Sequence, residues 1–193
     1  MNVGIVVEGQ NDLVAYRRLI RRIRNDITEC QLRQCGGKSQ LKHGFVNFLR
    51  EFHRNPAWQI DVAFVIRDSD CSSPHPIEEQ LQAILDTSGF TPEFPVEFFA
   101  IPCMLESWLL GDLGAFSTVA AQRGHGEGMV PPTIQIANSN SSGDKDVFMQ
   151  LLSHFMLPAT PAVYGEVAAL ANLTLIGNRC TYFREFMRRI RAV

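Results

Sequence analysis

No apolar run in this 193-residue sequence approaches the roughly 18 residues that a membrane-spanning helix needs, so no bilayer-crossing helix is expected. The opening residues, Met-Asn-Val-Gly-Ile-Val-Val-Glu-Gly, put no basic stretch ahead of a long apolar core. They read as a first strand rather than a signal peptide, and the expected location is cytoplasmic. Cysteine is sparse and odd in number: Cys30, Cys35, Cys71, Cys103 and Cys180 form no CxxC pair and no zinc-like spacing. Reduced thiols are therefore expected. The five histidines are dispersed, with no partner at zinc-ligand spacing. No internal repeat is present. Lysine almost vanishes after residue 42, leaving Lys145 alone in the rest of the chain.

What remains is an ordinary globular composition, 46% hydrophobic and 20% charged, long enough for one domain with a substantial core. The net charge of −2 conceals a segregation. Residues 10–54 carry ten Lys and Arg against four acids, residues 55–177 carry three against fourteen, and the last sixteen carry five Arg against one Glu. Basic flanks around an acidic middle suit a phosphate-bearing partner held beside a metal site, although solvated arginine faces account for the charge equally well.

The central stretch is Asp61-Val62-Ala63-Phe64-Val65-Ile66-Arg67-Asp68-Ser69-Asp70, a run of five apolar residues followed by an abrupt change of polarity. It reads as a parallel strand buried on both faces, with its carboxyl end where open α/β sheets place their ligand crevice. If the chain stays extended, Asp68 and Asp70 point to one side, and two like charges that close call for a cation. A turn with a helix cap is the plainer account of Asp-Ser-Asp.

Residues 2–7 read as a first strand, closed by Glu8-Gly9. Asn11 or Asp12 then caps a helix to about Asn25, with Leu13, Tyr16, Leu19, Ile20 and Ile23 on its apolar face. Arg17, Arg21 and Arg24 share another face of it. A short strand is read over 28–35 and a second helix over about 40–53. Gly36-Gly37-Lys38-Ser39 resembles part of a phosphate loop, but Leu32 stands where that motif needs glycine, so a Walker motif is rejected. A helix over about 77–87, a strand over 95–101 and a short apolar helix over 104–111 containing Glu106 follow. Residues 124–146 read as a long loop. Helices near 146–156 and 161–171 precede a final one over about 179–191, with Tyr182, Phe183, Phe186 and Ile190 inward. This order predicts an α/β fold with a mainly parallel sheet flanked by helices and a helical C-terminal part. A single domain is expected, with a core over about 1–111 and an extension over 112–193.

Glu8, Asp68 with Asp70, and Glu106 each follow a strand. In a parallel sheet these ends share one edge, so the four carboxylates can converge, and an all-oxygen set of this kind suits Mg²⁺ or Mn²⁺. Each has a plainer account as well. Glu8 can be a first-turn acid, Glu106 can pair with a buried Arg, and Lys145 can be a loop charge rather than a contact to a scissile phosphate.

A hydrophobic strand ending in Val6-Val7-Glu8-Gly9, a helix, and a later strand ending in Ile66-Arg67-Asp68-Ser69-Asp70 resemble the TOPRIM domain of primases, topoisomerases and OLD-type nucleases. Leu105-Glu106-Ser107-Trp108-Leu109-Leu110 is similar to a segment of a small stand-alone TOPRIM-like bacterial family of unknown function, often associated with phage-defence genes. The resemblance spans about residues 2–111, and only the two short motifs are specific. The roughly 50 residues between them exceed the shortest TOPRIM cores, which implies an inserted helix.

The resemblance implies acid–base chemistry for Glu8 and Mg²⁺ binding for Asp68 and Asp70. No ATPase motif accompanies these residues, so ATP-driven activity would require a separately encoded ATPase partner. The expectation is a Mg²⁺-dependent nuclease or other phosphoryl-transfer enzyme, with Glu8, Asp68 and Asp70 as metal residues and Glu106 and Lys145 also catalytic. Arg17, Arg21 and Arg24 would bind the DNA or RNA backbone. Two rivals are a non-catalytic metal- or nucleic-acid-binding subunit of a defence or toxin complex, and a phosphatase-like hydrolase with an Asp nucleophile.

Overall fold

A computed structural model describes residues 1–125, 129–132 and 141–193 of the chain. Four strands, β1 (Asn2–Val7), β2 (Glu29–Gln34), β3 (Val62–Asp68) and β4 (Val96–Ile101), form one parallel sheet in the order β2-β1-β3-β4. The α/β architecture expected from the sequence is the one observed.

The order places a reversal of direction at β1. The chain steps outward from β1 to β2, then crosses back so that β3 lies on the other side of β1. In open parallel sheets that reversal opens a crevice at the carboxyl ends of the two central strands. Here those strands are β1 and β3, which lead into Glu8 and Asp68.

Both faces of the sheet are covered, as the near-continuous apolar strands require. On one face Val3, Ile5, Val7, Val62, Phe64 and Ile66 pack with helix α1 (Gln10–Ile23) and the C-terminal helices. On the other, Val6, Ala63, Val65 and Phe98 pack with α2 (Lys38–Arg54) and α3 (Pro74–Thr87). The apolar stripe read on α1 is buried at Leu13, Tyr16, Leu19, Ile20 and Ile23.

Beyond β4 the chain forms α4 (Leu105–Leu109), α5 (Leu113–Gln122), α6 (Asp144–His154), α7 (Pro161–Leu170), α8 (Leu173–Arg179) and α9 (Thr181–Ala192). Helices α5 and α8 have no counterpart in the reading of the sequence. Helix α5 is almost entirely apolar and small-residue-rich, so its polar–apolar period is faint, and α8 is only seven residues long. Of the expected loop over 124–146, residues 126–128 and 133–140 lie outside the described residues.

Helix α9 buries Phe183, Phe186 and Ile190 as expected, but Tyr182 is 47% exposed. Phe183 and Phe186 pack on Trp108, at centroid distances of 4.9 and 5.0 Å, and this apolar contact anchors α4 beneath the sheet edge.

The cysteines depart from expectation. Cys71 and Cys103 form a disulfide across 32 residues of sequence. Their separation in the chain carries no sign of it. Parallel pairing brings the ends of β3 and β4 side by side, and the two residues meet in the turns that follow. Cys30, Cys35 and Cys180 are free thiols. No helix among the described residues is long and apolar enough to cross a membrane.

Candidate active site

At the carboxyl edge of the sheet lies an open pocket of about 680 Å³. Its lining includes Glu8, Asp68, Asp70, Glu106 and Lys145, the five residues singled out as catalytic from the sequence, together with Asp12, Asn11 and Gly36-Gly37. Five carboxylates from three separate stretches of chain thus face one cavity.

Strand pairing brings Glu8, Asp68 and Asp70 there. Glu8 directly follows β1, and its carbonyl accepts the N–H groups of Gly36 and Gly37, both at 2.9 Å. That contact draws the loop between β2 and α2 against the end of β1. Gly36 and Gly37 sit at φ +85° and +137°, which glycine adopts without a side-chain clash. The Glu8 carboxylate crosses to the next strand, where its Oε1 accepts the Asp68 N–H at 3.1 Å and lies 3.8 Å from the buried Arg67 guanidinium.

Asp68 and Asp70 are not an extended pair. Pairing with the β4 end continues past Asp68, since Ser69 N–H donates to the Ile101 carbonyl and Asp70 N–H to the Cys103 carbonyl. At Asp70 the chain turns through φ +47°, however, which ends the two-residue alternation. Asp68 stays largely interior, and Asp70 stands exposed on the rim in an ion pair with Lys38. Both still line the same pocket. Lys38 therefore has a place at the site even though its glycine loop is no Walker motif.

Asp12 is the acid that the sequence reading missed as a site residue. It is not the cap of α1. Gly9 is, and Asp12 sits three residues later with its Oδ2 accepting the Gly9 N–H at 2.9 Å. That bond turns the carboxylate back toward Glu8 and into the pocket. The available signal was its position four residues after Glu8, on the first turn of a helix leaving the strand end.

Burial sets the electrostatics. It pushes Asp12 up to about 7, with Glu106 and then Glu8 adding to the rise while the Gly9 N–H and Lys145 oppose it. Asp68 is raised well above the usual carboxylate range by burial, then by Asp12, Glu8 and Glu106, against one N–H from Leu105. Glu8 is raised by burial, with the Asp68 N–H, Arg67 and Lys38 opposing. The hydroxyl of Tyr16, buried below, makes no hydrogen bond to a described residue, and burial and the same four carboxylates raise its pKa. This is a site with more negative charge than its own cations balance.

Glu106 is 8% exposed and pairs with no Arg among the described residues. Its Oε1 accepts a hydrogen bond at 2.9 Å from the Tyr164 hydroxyl on α7. Sequence reading had no route to this partner, 58 residues away in the C-terminal helices.

The basic residues divide. Lys145 lines the pocket, exposed in the first turn of α6, and Lys38 reaches its rim through the ion pair with Asp70. Arg17 and Arg21 are exposed on α1 but outside the pocket lining. Arg24 is half-buried and pairs with Asp26 at 2.8 Å, so it does not continue their open face.

The pocket lining holds five carboxylates and the side-chain amides of Gln10 and Asn11, with no His or Cys among its residues, and such a carboxylate-rich set fits a hard divalent cation rather than zinc. As they stand, no three His, Cys, Asp or Glu among the described residues are close enough to form a ready-made metal site. No family model, curated protein or solved structure matches the chain.

Proposed function

We propose that this protein is a TOPRIM-like, Mg²⁺- or Mn²⁺-dependent phosphoryl-transfer enzyme that hydrolyses phosphodiester bonds of DNA or RNA. The observation that carries the reading is the meeting of Glu8, Asp12, Asp68, Asp70 and Glu106 in one open pocket at the sheet's carboxyl edge, with Lys145 in the lining and Lys38 paired to Asp70. Charge so unbalanced, in a setting that already drives Asp12 and Asp68 toward protonation, is relieved by a divalent cation.

Glu8, Asp68 and Asp70 would hold the cation, with Asp12 and Glu106 beside them. When bound, it would supply Lewis-acid stabilisation of the charge that develops on the phosphate. The chain's own residues do the rest. Glu8, held by the Asp68 N–H and raised by burial, is suited to exchanging a proton with water. Lys38 and Lys145 offer positive charge to phosphate oxygens from the rim. Arg17 and Arg21 add a sequence-independent backbone contact along α1.

The test is cleavage of plasmid, single-stranded DNA and RNA, with and without Mg²⁺ or Mn²⁺, using Asp68→Ala as control. Metal-dependent cleavage lost in the variant supports the reading. Metal-dependent nucleic-acid binding without cleavage would return the protein to a non-catalytic subunit. A phospho-aspartate trapped with a phosphate mimic would favour an Asp nucleophile.

A further inference from the structure

Helix α7 crosses α1 at very short range. A Cβ placed on Gly165 would lie 2.4 Å from Val14 Cγ1, so only glycine allows this approach. The residue before it, Tyr164, is 2% exposed, and its ring packs on Phe148 at a centroid distance of 4.8 Å. Its hydroxyl meets Glu106 Oε1 at 2.9 Å, and the Asn11 side chain, part of the pocket lining, lies at the same hydroxyl.

Helix α4, which carries Glu106, is only five residues long, and a glutamate on a single helical turn has several rotamers open to it. The other carboxylate oxygen of Glu106 accepts no hydrogen bond from a described residue. A rigid donor on one oxygen therefore leaves the second free to work in the pocket.

We propose that Tyr164 is a positioning residue of the active site, its hydroxyl fixing one oxygen of Glu106 so that the other is presented to the pocket. The C-terminal helices are then part of the catalytic unit rather than an appendage to it. This rests on the divalent-cation reading above. Outer partners that orient a metal-site carboxylate commonly change metal affinity about 10- to 100-fold when removed.

The experiment is a double-mutant cycle read by Mn²⁺ binding to the full-length protein, followed by electron paramagnetic resonance at one pH. Its four members are wild type, Tyr164→Phe, Glu106→Gln and the double variant. Phenylalanine keeps the ring packing, and glutamine keeps an oxygen to accept from the tyrosine. Tyr164→Phe should melt within a few degrees of wild type without metal and bind Mn²⁺ about tenfold more weakly. Glu106→Gln should lose at least as much, and the double variant no more than Glu106→Gln, because Tyr164 acts only through that carboxylate.

Unchanged Mn²⁺ affinity in Tyr164→Phe overturns the proposal, and so does a full additional loss in the Glu106→Gln background. A large drop in melting temperature with intact affinity assigns Tyr164 to structure and also overturns it. Wild-type protein that binds no Mn²⁺ removes the cation reading and this proposal together. Wild-type binding with an insensitive Tyr164→Phe removes this proposal alone.

Discussion

Asp12 shows how far a single side chain can depart from the role its neighbours suggest. An acid whose pKa is higher in the folded than in the unfolded state favours folding fully below its unfolded value, near 3.8. That contribution is lost as the pH climbs toward about 7. On this account the metal-free protein is less stable at pH 8 than at pH 5, with Asp12 contributing up to about 2.6 kcal/mol of the difference. Urea denaturation at the two pH values should show the gap, and Asp12→Asn should narrow it by raising stability at pH 8. An Asp12→Asn protein with an unaltered gap would mean that the carboxylate does not titrate in this range. The cation reading makes a companion prediction. Saturating Mg²⁺ or Mn²⁺, at about 100 times Kd, should add roughly 2.7 kcal/mol of stability, and Asp68→Asn/Asp70→Asn should remove that response. A thermal shift assay with millimolar metal measures both.

Among the elements, the turn after β3 carries Asp70, the site's most exposed acid, the turn after β4 leads into α4 with the buried Glu106, and the Cys71–Cys103 disulfide ties the two turns together. Closing a loop of this length removes freedom from the unfolded chain worth about 2–4 kcal/mol. Cys71→Ser/Cys103→Ser should therefore unfold at correspondingly lower denaturant than the oxidised wild type, and reductant should destabilise only the wild type. Helices α1 and α7 make the second decisive junction. Gly165→Ala forces a methyl group onto the stiff, β-branched Val14 and should cost about 1–3 kcal/mol in equilibrium unfolding. Neither junction announces itself in local sequence. A disulfide between turns depends on which strands are neighbours, and a close helix crossing depends on where two distant helices meet.

Across the whole molecule, helices α1 and α9, from the two basic segments, pack on the same face of the sheet and touch each other, while the acidic middle supplies three of the pocket's five carboxylates, Asp68, Asp70 and Glu106. Not every arginine in those segments is available to a partner. Arg22 donates to the Ala168 and Ala171 carbonyls at 2.8 and 2.6 Å, closing the end of α7. Arg189 is bound to Glu78, Glu97 and the Phe98 carbonyl along the outer edge of β4. If Arg17 and Arg21 contact a nucleic-acid backbone, Arg17→Glu/Arg21→Glu should weaken binding by more than tenfold at low salt and flatten its salt dependence. Arg24→Glu alone should do little to binding, because Arg24 already faces Asp26. Fluorescence anisotropy on single-stranded DNA and RNA across a salt series checks both. Binding that ignores the double variant would leave α1 as a solvated face.

The α/β class and the four strands were legible in local pattern, because buried parallel strands read as unbroken apolar runs and amphipathic helices as stripes with a 3.6-residue period. The grouping of Glu8, Asp68, Asp70 and Glu106 followed from the same logic, since parallel strands put their carboxyl ends on one edge. Residues whose roles depend on local geometry were out of reach. Asp12 looked like a cap because Asp caps helices, and only the Gly9 N–H at the strand end turned it into the pocket. The same held for residues recruited over long distances. Tyr164 reaches Glu106, Cys71 reaches Cys103 and Lys38 reaches Asp70 through contacts between segments 58, 32 and 32 residues apart. Local sequence carries the periodicities that make elements. Which side chains meet between them is decided only when those elements pack.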